Sequence, residues 1–345
     1  MTARGRVTVA GAGVLGLSTA VALADAGLQV TVWDLEPFGR ASAVAAGMLA
    51  PAFEAALEPE GSASLDLLLA ARNAWPGLAQ RTGIYLDRTG AVAVGGEAWL
   101  GQVAAALIRL GVRPADLGPA TLAGLAPGLS PAIGRGLLVR EDWRLEPRPA
   151  LAALRAAAEA AGVVFRTERV EGRGDADVLV IAGGLSRGLA DVAPEVAQLS
   201  PIRGQILSYA GKRGSGVCVR TEGAYATPGS DGLAVGATME PGREDLEPDA
   251  NLLAPLSAAA GRLFPRLAQA TPGVQVGVRA ATPDGLPMVG WSSAPGVVLA
   301  VGARRNGWLL APLIAQVVTA CVTGRDPGPY AARLDPGRFA AGGQA

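Results

Sequence analysis

The chain has 345 residues, half of them hydrophobic, and 30 basic against 30 acidic side chains. That length and apolar share predict two domains with ample cores, and the balanced charge, with no block of one sign, excludes the footprint of a nucleic-acid-binding protein. Histidine is absent, which removes imidazole bases, histidine-containing triads and histidine metal ligands, so no metal site is expected.

The apolar stretch from 7 to 30 could pass for a signal peptide. It is interrupted by Gly11, Gly13, Gly16 and Asp25, and only Arg4 and Arg6 precede it, so a strand–turn–helix reading explains it better. Val7–Ala10 reads as a short buried strand. Leu17, Val21, Ala24 and Leu28 then recur at helical spacing, with Gly27 as a C-cap. Leu28–Trp33 alternates as a second strand ending at Asp34. Residues 64–81 read as helix and 84–94 as strand. Pro and Gly punctuate 111–136, which predicts loops and short elements. An alanine-rich helix is expected over Pro149–Ala161, opened by proline. Strands are expected over Val163–Val170 and Asp177–Ala182, followed by short antiparallel strands over 203–240. Asn251–Leu267 reads as helix, Val274–Ala280 and Val297–Val301 as strands, and Asn306–Val322 as a last helix with Gly324 beyond it. No stretch is long and apolar enough for a membrane span. Cys218 and Cys321 stand in unrelated contexts, so buried inert thiols and a reducing cytoplasm are expected.

The turn Gly11-Ala-Gly-Val-Leu-Gly16 carries GxGxxG between a strand and a helix. Gly11 suits the tight turn, Gly13 admits a pyrophosphate to the backbone, and Gly16 permits close helix–strand packing. The helix N-terminus, with Val14 and Leu15, offers N–H groups to the anion. Asp34, 23 residues beyond Gly11, is placed to accept ribose hydroxyls. With 48 glycines in the chain the bare motif could arise by chance, but strand, helix and acid are independent conditions and all hold. The motif does not separate NAD from FAD.

Four further motifs do. They are Ala45-Ala46-Gly47-Met48-Leu49; Pro201-Ile-Arg-Gly-Gln205; Val235-Gly-Ala-Thr-Met-Glu-Pro-Gly242; and Arg279 with Thr282–Gly290 and Arg305-Asn-Gly-Trp-Leu-Leu-Ala-Pro312. With them, most of the chain resembles the D-amino-acid-oxidase superfamily, and within it the bacterial glycine oxidases of thiamine biosynthesis. The resemblance implies FAD, held non-covalently because histidine is absent and neither cysteine lies in the C-terminal motif. It also implies an α/β fold: a Rossmann-like FAD domain of 1–83, 146–202 and 282–345, and a substrate domain of 84–145 and 203–281 on an antiparallel sheet.

Residue by residue, Arg279 matches the arginine that binds the substrate carboxylate, and Tyr225 the tyrosine that helps hold it. Met48 and Met239 match apolar residues around a small pocket, and Arg305 a second arginine near substrate and flavin. Val170 matches the residue whose backbone meets adenine, and Gly183 lies in the second nucleotide-side turn. Ala46 and Gly47 belong to the flavin-side loop. Arg305, Asn306, Gly307 and Trp308 open the last helix, whose N–H groups would face the flavin carbonyl. Gly302-Ala303-Arg304 departs from the Gly-His-aromatic run common in the family, which bears on oxygen reactivity more than on amine oxidation.

Plainer readings stand beside these. Tyr225 could be a half-buried strand tyrosine, Met48 and Met239 core filler, Arg279 and Arg305 members of ion pairs, and Arg304 structural. Oxidation of an amine by a flavin needs orientation and electrostatics from the protein but no protein base, which suits a chain without histidine. The expected reaction is glycine, or another small amino acid, to its imine, with oxygen reduced to hydrogen peroxide. A D-amino-acid or sarcosine-type oxidase, a quinone-linked dehydrogenase and a flavin-binding module without turnover remain rivals, and the oligomeric state stays open.

Overall fold

The structure, a computed structural model, describes residues 5–35, 40–58, 65–211 and 216–342. A six-stranded sheet runs in the order Met288–Trp291, Val297–Val301, Val178–Ile181, Arg6–Ala10, Gln29–Trp33, Val164–Arg166. All neighbours are parallel except the antiparallel edge strand Met288–Trp291. The inner strands are β-branched and buried, with Val9, Val32, Val180 and Val298 fully enclosed, as expected of a parallel sheet covered on both faces. The helix Val14–Asp25 is buried nearly all round. It packs between the sheet and the helix Gly307–Thr323, whose Leu309, Ile314, Val317 and Val318 share its core.

The second sheet has nine strands, in the order Glu240–Pro241, Ser200–Ala210, Gly232–Gly236, Ala224–Gly229, Cys218–Thr221, Ala91–Val94, Gly136–Val139, Ala115–Leu117. Its ninth strand, Gly273–Ala281, pairs antiparallel with Ser200–Ala210. One face of this sheet is covered by the helix Ala250–Leu263. The other meets the helix Pro51–Leu57 and the helix Glu97–Arg109.

Several elements differ from the sequence expectations. The strand expected over 84–94 is confined to Ala91–Val94, because Asp87 instead bridges to Arg144. The strand expected over Val163–Val170 stops at Arg166, where its single neighbour ends at Trp33, and residues 168–170 line a cleft instead. The helix expected to reach Leu267 stops at Leu263: Phe264 precedes Pro265 and turns to φ −128°, ψ 92°, since a residue before proline avoids the helical region. The alanine-rich helix starts at Pro147, two residues earlier than expected. The expected end of the last helix holds, with Gly324 in the left-handed region at φ 68°.

Candidate active site

The Arg6–Ala10 strand delivers the chain into the Gly11 turn at φ +113°. A Cβ on Gly11 would lie 2.6 Å from the Gly183 Cα, so the two turns touch through their glycines. A Cβ on Gly16 would lie 1.9 Å from the Gly11 carbonyl oxygen, which gives Gly16 a packing role behind the turn. The Asp34 carboxylate accepts the Ala12 N–H, and the Ser42 hydroxyl accepts the Val14 N–H at 3.1 Å. A cleft of about 590 Å³ opens here, bounded by Gly11, Gly13, Val14, Leu15, Asp34, Val170 and Gly183.

A second cavity, of about 440 Å³, adjoins it across Val14, Ser42, Arg279, Arg304 and Gly307. Ala46, Gly47 and Met48 form one wall. Arg305, Asn306, Gly307 and Trp308 form another, and Tyr225, Met239 and Arg279 a third. The structure therefore gathers the residues singled out by sequence, Gly16 excepted, around two adjoining spaces.

Arg279 sits in the Gly273–Ala281 strand, opposite Ile202. Its guanidinium lies across Gly204, where a Cβ would stand 2.2 Å from Nη1. Nη1 is 3.4 Å from the Thr238 carbonyl oxygen and 3.6 Å from the Met239 sulfur. No carboxylate pairs with it among the described residues. Burial, then the neighbouring charges of Arg305 and Arg304, hold its pKa below the ordinary arginine value, against an opposing effect of Tyr225. Arginine remains charged nonetheless.

Tyr225 faces Gly236 on the next strand, and a Cβ there would lie 2.3 Å from its hydroxyl oxygen. The glycine leaves space for the phenol to cross the sheet surface. Burial pushes the Tyr225 phenol above its usual pKa, only partly offset by Arg279. It is therefore a neutral hydrogen-bond donor at ordinary pH.

Arg305 is engaged differently. Its Nε lies 3.1 Å from Glu54 and its Nη1 2.5 Å from Glu58. The Asn306 side-chain amide also donates to Glu54, at 3.3 Å. Arg305 thus stands at the cavity wall with its charge met by Glu54, in the Pro51–Leu57 helix, and by Glu58, which caps that helix's end. Arg304, with φ 49°, lines both spaces.

Both helices that begin at these spaces, Val14–Asp25 and Gly307–Thr323, lack an acidic residue in the first turn, and neither N-cap residue, Gly13 or Asn306, caps its helix through a side chain. Free N–H groups and the positive ends of two helices suit a pyrophosphate and a polar ring edge, and Asp34 suits a ribose. The donor set fits an FAD lying across both spaces.

Sequence reasoning missed Ser42, Glu54, Glu58, Gly204, Gly236 and Arg220. Glu54 follows the Gly47-Met48-Leu49 motif closely, which is a usable signal. Gly204 and Gly236 lie within the Pro201–Gln205 and Val235–Gly242 motifs, although nothing in those motifs gave them the role of making room for Arg279 and Tyr225, and Arg220 reaches the cavity wall only through its strand register with Tyr225. Both cysteines are free, and Cys218 is buried with its sulfur 3.4 Å from that of Met48. Among the described residues no helix is long and apolar enough to cross a membrane.

A family model described as FAD dependent oxidoreductase matches residues 6–321. The chain is 32% identical to a glycine oxidase of Pseudomonas aeruginosa, covering 94% of this chain and 98% of that one. It is 32% identical to a ThiO oxidoreductase of Rhizobium etli, named for thiamine biosynthesis, over 91% of this chain and 95% of that one. The crystal structure of glycine oxidase from Geobacillus kaustophilus superposes with a TM-score of 0.81 at 26% identity, covering 96% of this chain and 98% of that one.

Proposed function

The chain belongs to the FAD dependent oxidoreductase family, and on that premise we propose that it oxidises the C–N bond of a small amino acid, glycine foremost. The observation that carries this reading is Arg279: an inward guanidinium without a carboxylate partner among the described residues, beside a protonated Tyr225. FAD supplies the two-electron acceptor. Arg279 takes the substrate carboxylate bidentately, which fixes position and angle together. Tyr225 donates a further hydrogen bond to the same carboxylate. Met48 and Met239 limit the space beyond the α-carbon, and the first amides of the Gly307–Thr323 helix would hold the polar edge of the flavin. Ser42 and Asp34 keep the nucleotide-side turn in shape through the Val14 and Ala12 amides.

Glycine loses two electrons and two protons to become the imine, which water converts to glyoxylate and ammonia. Oxygen is the proposed terminal acceptor, giving hydrogen peroxide. In a thiamine-making cell the imine itself would be the useful product. FAD is held without a covalent link in this reading. The FAD domain comprises 1–83, 146–202 and 282–345, framed by the six-stranded sheet. The substrate domain comprises 84–145 and 203–281, framed by the nine-stranded one. Two free cysteines support a reducing, cytoplasmic setting.

Anaerobic mixing of the purified protein with glycine, sarcosine, D-alanine and D-proline tests the proposal. Bleaching of the flavin by glycine or sarcosine, with peroxide formed on readmitting air, is expected. Photoreducible flavin that no amino acid bleaches would leave only a binding module.

A further inference from the structure

Arg220 is a second guanidinium at the cavity. It is 5% exposed, and its Nε is enclosed without a hydrogen-bond partner. Among the described residues no carboxylate or carbonyl accepts from any of its nitrogens. Its visible neighbour is the ring of Phe53, 5.6 Å away. Asp142 acts on it electrostatically but forms no ion pair with it, and the two carboxylate oxygens of Asp142 instead accept the Ala52 and Phe53 N–H groups at 2.8 and 3.1 Å. A buried guanidinium without hydrogen-bond acceptors is costly, and such groups are ordinarily matched by an anion.

The strand register says where that anion would lie. Arg220 is directly opposite Tyr225, so both side chains leave the same face of the nine-stranded sheet. Tyr225 is opposite Gly236, Gly236 opposite Ile206, and Ile206 opposite Gln275; two-residue steps lead from there to Gly277 and Arg279. Arg220, Tyr225 and Arg279 therefore share one face, with Gly236 and Gly277 supplying no side chain between them. Arg305, the remaining guanidinium described above with assigned partners, already faces Glu54 and Glu58. A single α-carboxylate on Arg279 leaves Arg220 unmatched.

We propose that Arg220 is a second anion-binding group of the substrate cavity, and that among substrates larger than glycine the cavity prefers amino acids carrying a second acidic group. This deepens the amino-acid-oxidase reading and rests on it. The second acid sits either on a substituent of the amine or on the side chain, and both are carboxylates to Arg220.

The test uses the holoenzyme and its R220Q and R220K variants. Acetate and malonate are titrated against the flavin absorbance spectrum, and steady-state rates are measured with glycine, iminodiacetate and D-aspartate. Malonate should bind wild type at least about tenfold tighter than acetate, as a charge-assisted hydrogen-bond pair implies. R220Q should remove that preference, weakening malonate at least about tenfold more than acetate. Its kcat/KM should fall at least about tenfold further for whichever of iminodiacetate and D-aspartate is the better substrate than it falls for glycine. R220K should restore part of the loss, because an ammonium keeps the charge without the fork. Equal affinity of wild type for malonate and acetate overturns the proposal, whether or not R220Q folds. So does a variant that weakens both ligands alike, which would mark Arg220 as a support for Phe53. Glycine bleaching without a dicarboxylate preference sinks this inference alone. Failure of every amino acid to reduce the flavin sinks the reading beneath it as well.

Discussion

The indole N–H of Trp75 donates to the backbone carbonyl of Trp308 at 3.0 Å, and the two rings stack with centroids 6.1 Å apart. That carbonyl is the one Pro312 leaves without a helical partner, since proline four residues on has no N–H to return. The Trp308 indole in turn donates to the Ser42 carbonyl at 3.0 Å, and the Ser42 hydroxyl accepts the Val14 N–H. One relay thus ties the starts of the two helices that face the flavin and nucleotide spaces.

Replacing Trp75 with Phe keeps an aromatic ring but strips the donor from a buried carbonyl. An unsatisfied buried acceptor costs about 1–3 kcal/mol. Urea unfolding at a fixed FAD concentration should show a stability lower by that amount, seen as a lower midpoint with the slope unchanged. An unchanged midpoint would show that water or a shifted helix satisfies the carbonyl instead.

Asp142 sets a pH dependence of stability. Burial raises its pKa from 3.8 to about 7, against the lowering effects of Arg220 and the Ala52 and Phe53 amides. A folded value above the unfolded one means that the native state binds more protons between about pH 4 and 7. The contribution of this carboxyl is therefore full below about pH 4, declines as pH rises to about 7, and is level above. Relative to D142N, wild type should lose on the order of a few kcal/mol across that window. Chemical unfolding from pH 4.5 to 8 measures the difference, and parallel profiles would place the titration elsewhere.

Much of the fold was legible in the residues because local and tertiary preferences agreed there. The Gly11 turn, the Val-rich first strands and the Gly324 stop each had one local solution, and the structure adopts it. The misplaced ends have physical causes. Val163–Val170 is apolar at its start but has a pairing partner only as far as Trp33. Phe264 reads as helical until the proline after it is weighed. At the site, Arg279 and Tyr225 were legible through their motifs. Their surroundings were not: the Glu54 and Glu58 partners of Arg305 come from a segment some 250 residues away in sequence. Arg220 shares a face with Tyr225 only once the register is known.

The purified protein should be yellow and should release intact FAD on denaturation. The starts of two helices, neither with an acid in its first turn, and the Asp34 turn would hold the cofactor by polar contacts, and no histidine exists to form a link. Flavin that stays on the chain after acid precipitation would point to a cysteine, with Cys218 first to be examined.

Substrate size should matter sharply. Met48 and Met239 both line the cavity, and Met48 is backed by the buried Cys218. A bulky side chain would have to displace them, and overpacking costs about 1–3 kcal/mol. Glycine and sarcosine should outrun D-phenylalanine in kcat/KM. Replacing Met239, the more exposed of the two, with Ala should narrow the gap. Faster oxidation of D-phenylalanine by wild type would overturn the size limit.

Arg279→Ala tests the carboxylate clamp. The residue lies on the nine-stranded sheet and its hydrogen-bond partners are Thr238 and Met239 rather than groups of the Gly11 turn, so the fold should be retained and the flavin still bound. A hydrogen bond to a charged group contributes about 1.5–3 kcal/mol, and a carboxylate left without its partner in a desolvated site costs more. Catalytic efficiency with glycine should fall by at least about one to two orders of magnitude. Arg279→Lys should recover only part of it, because an ammonium lacks the planar fork that sets the substrate's angle. It must also extend over Gly204, where the guanidinium now lies flat. Primary amines without a carboxylate should be nearly indifferent to either change, which separates lost recognition from a damaged flavin site. A yellow Ala variant that oxidises glycine like wild type would mean that Arg279 is not the clamp, and Arg304 or Arg220 would then be the next guanidinium to remove.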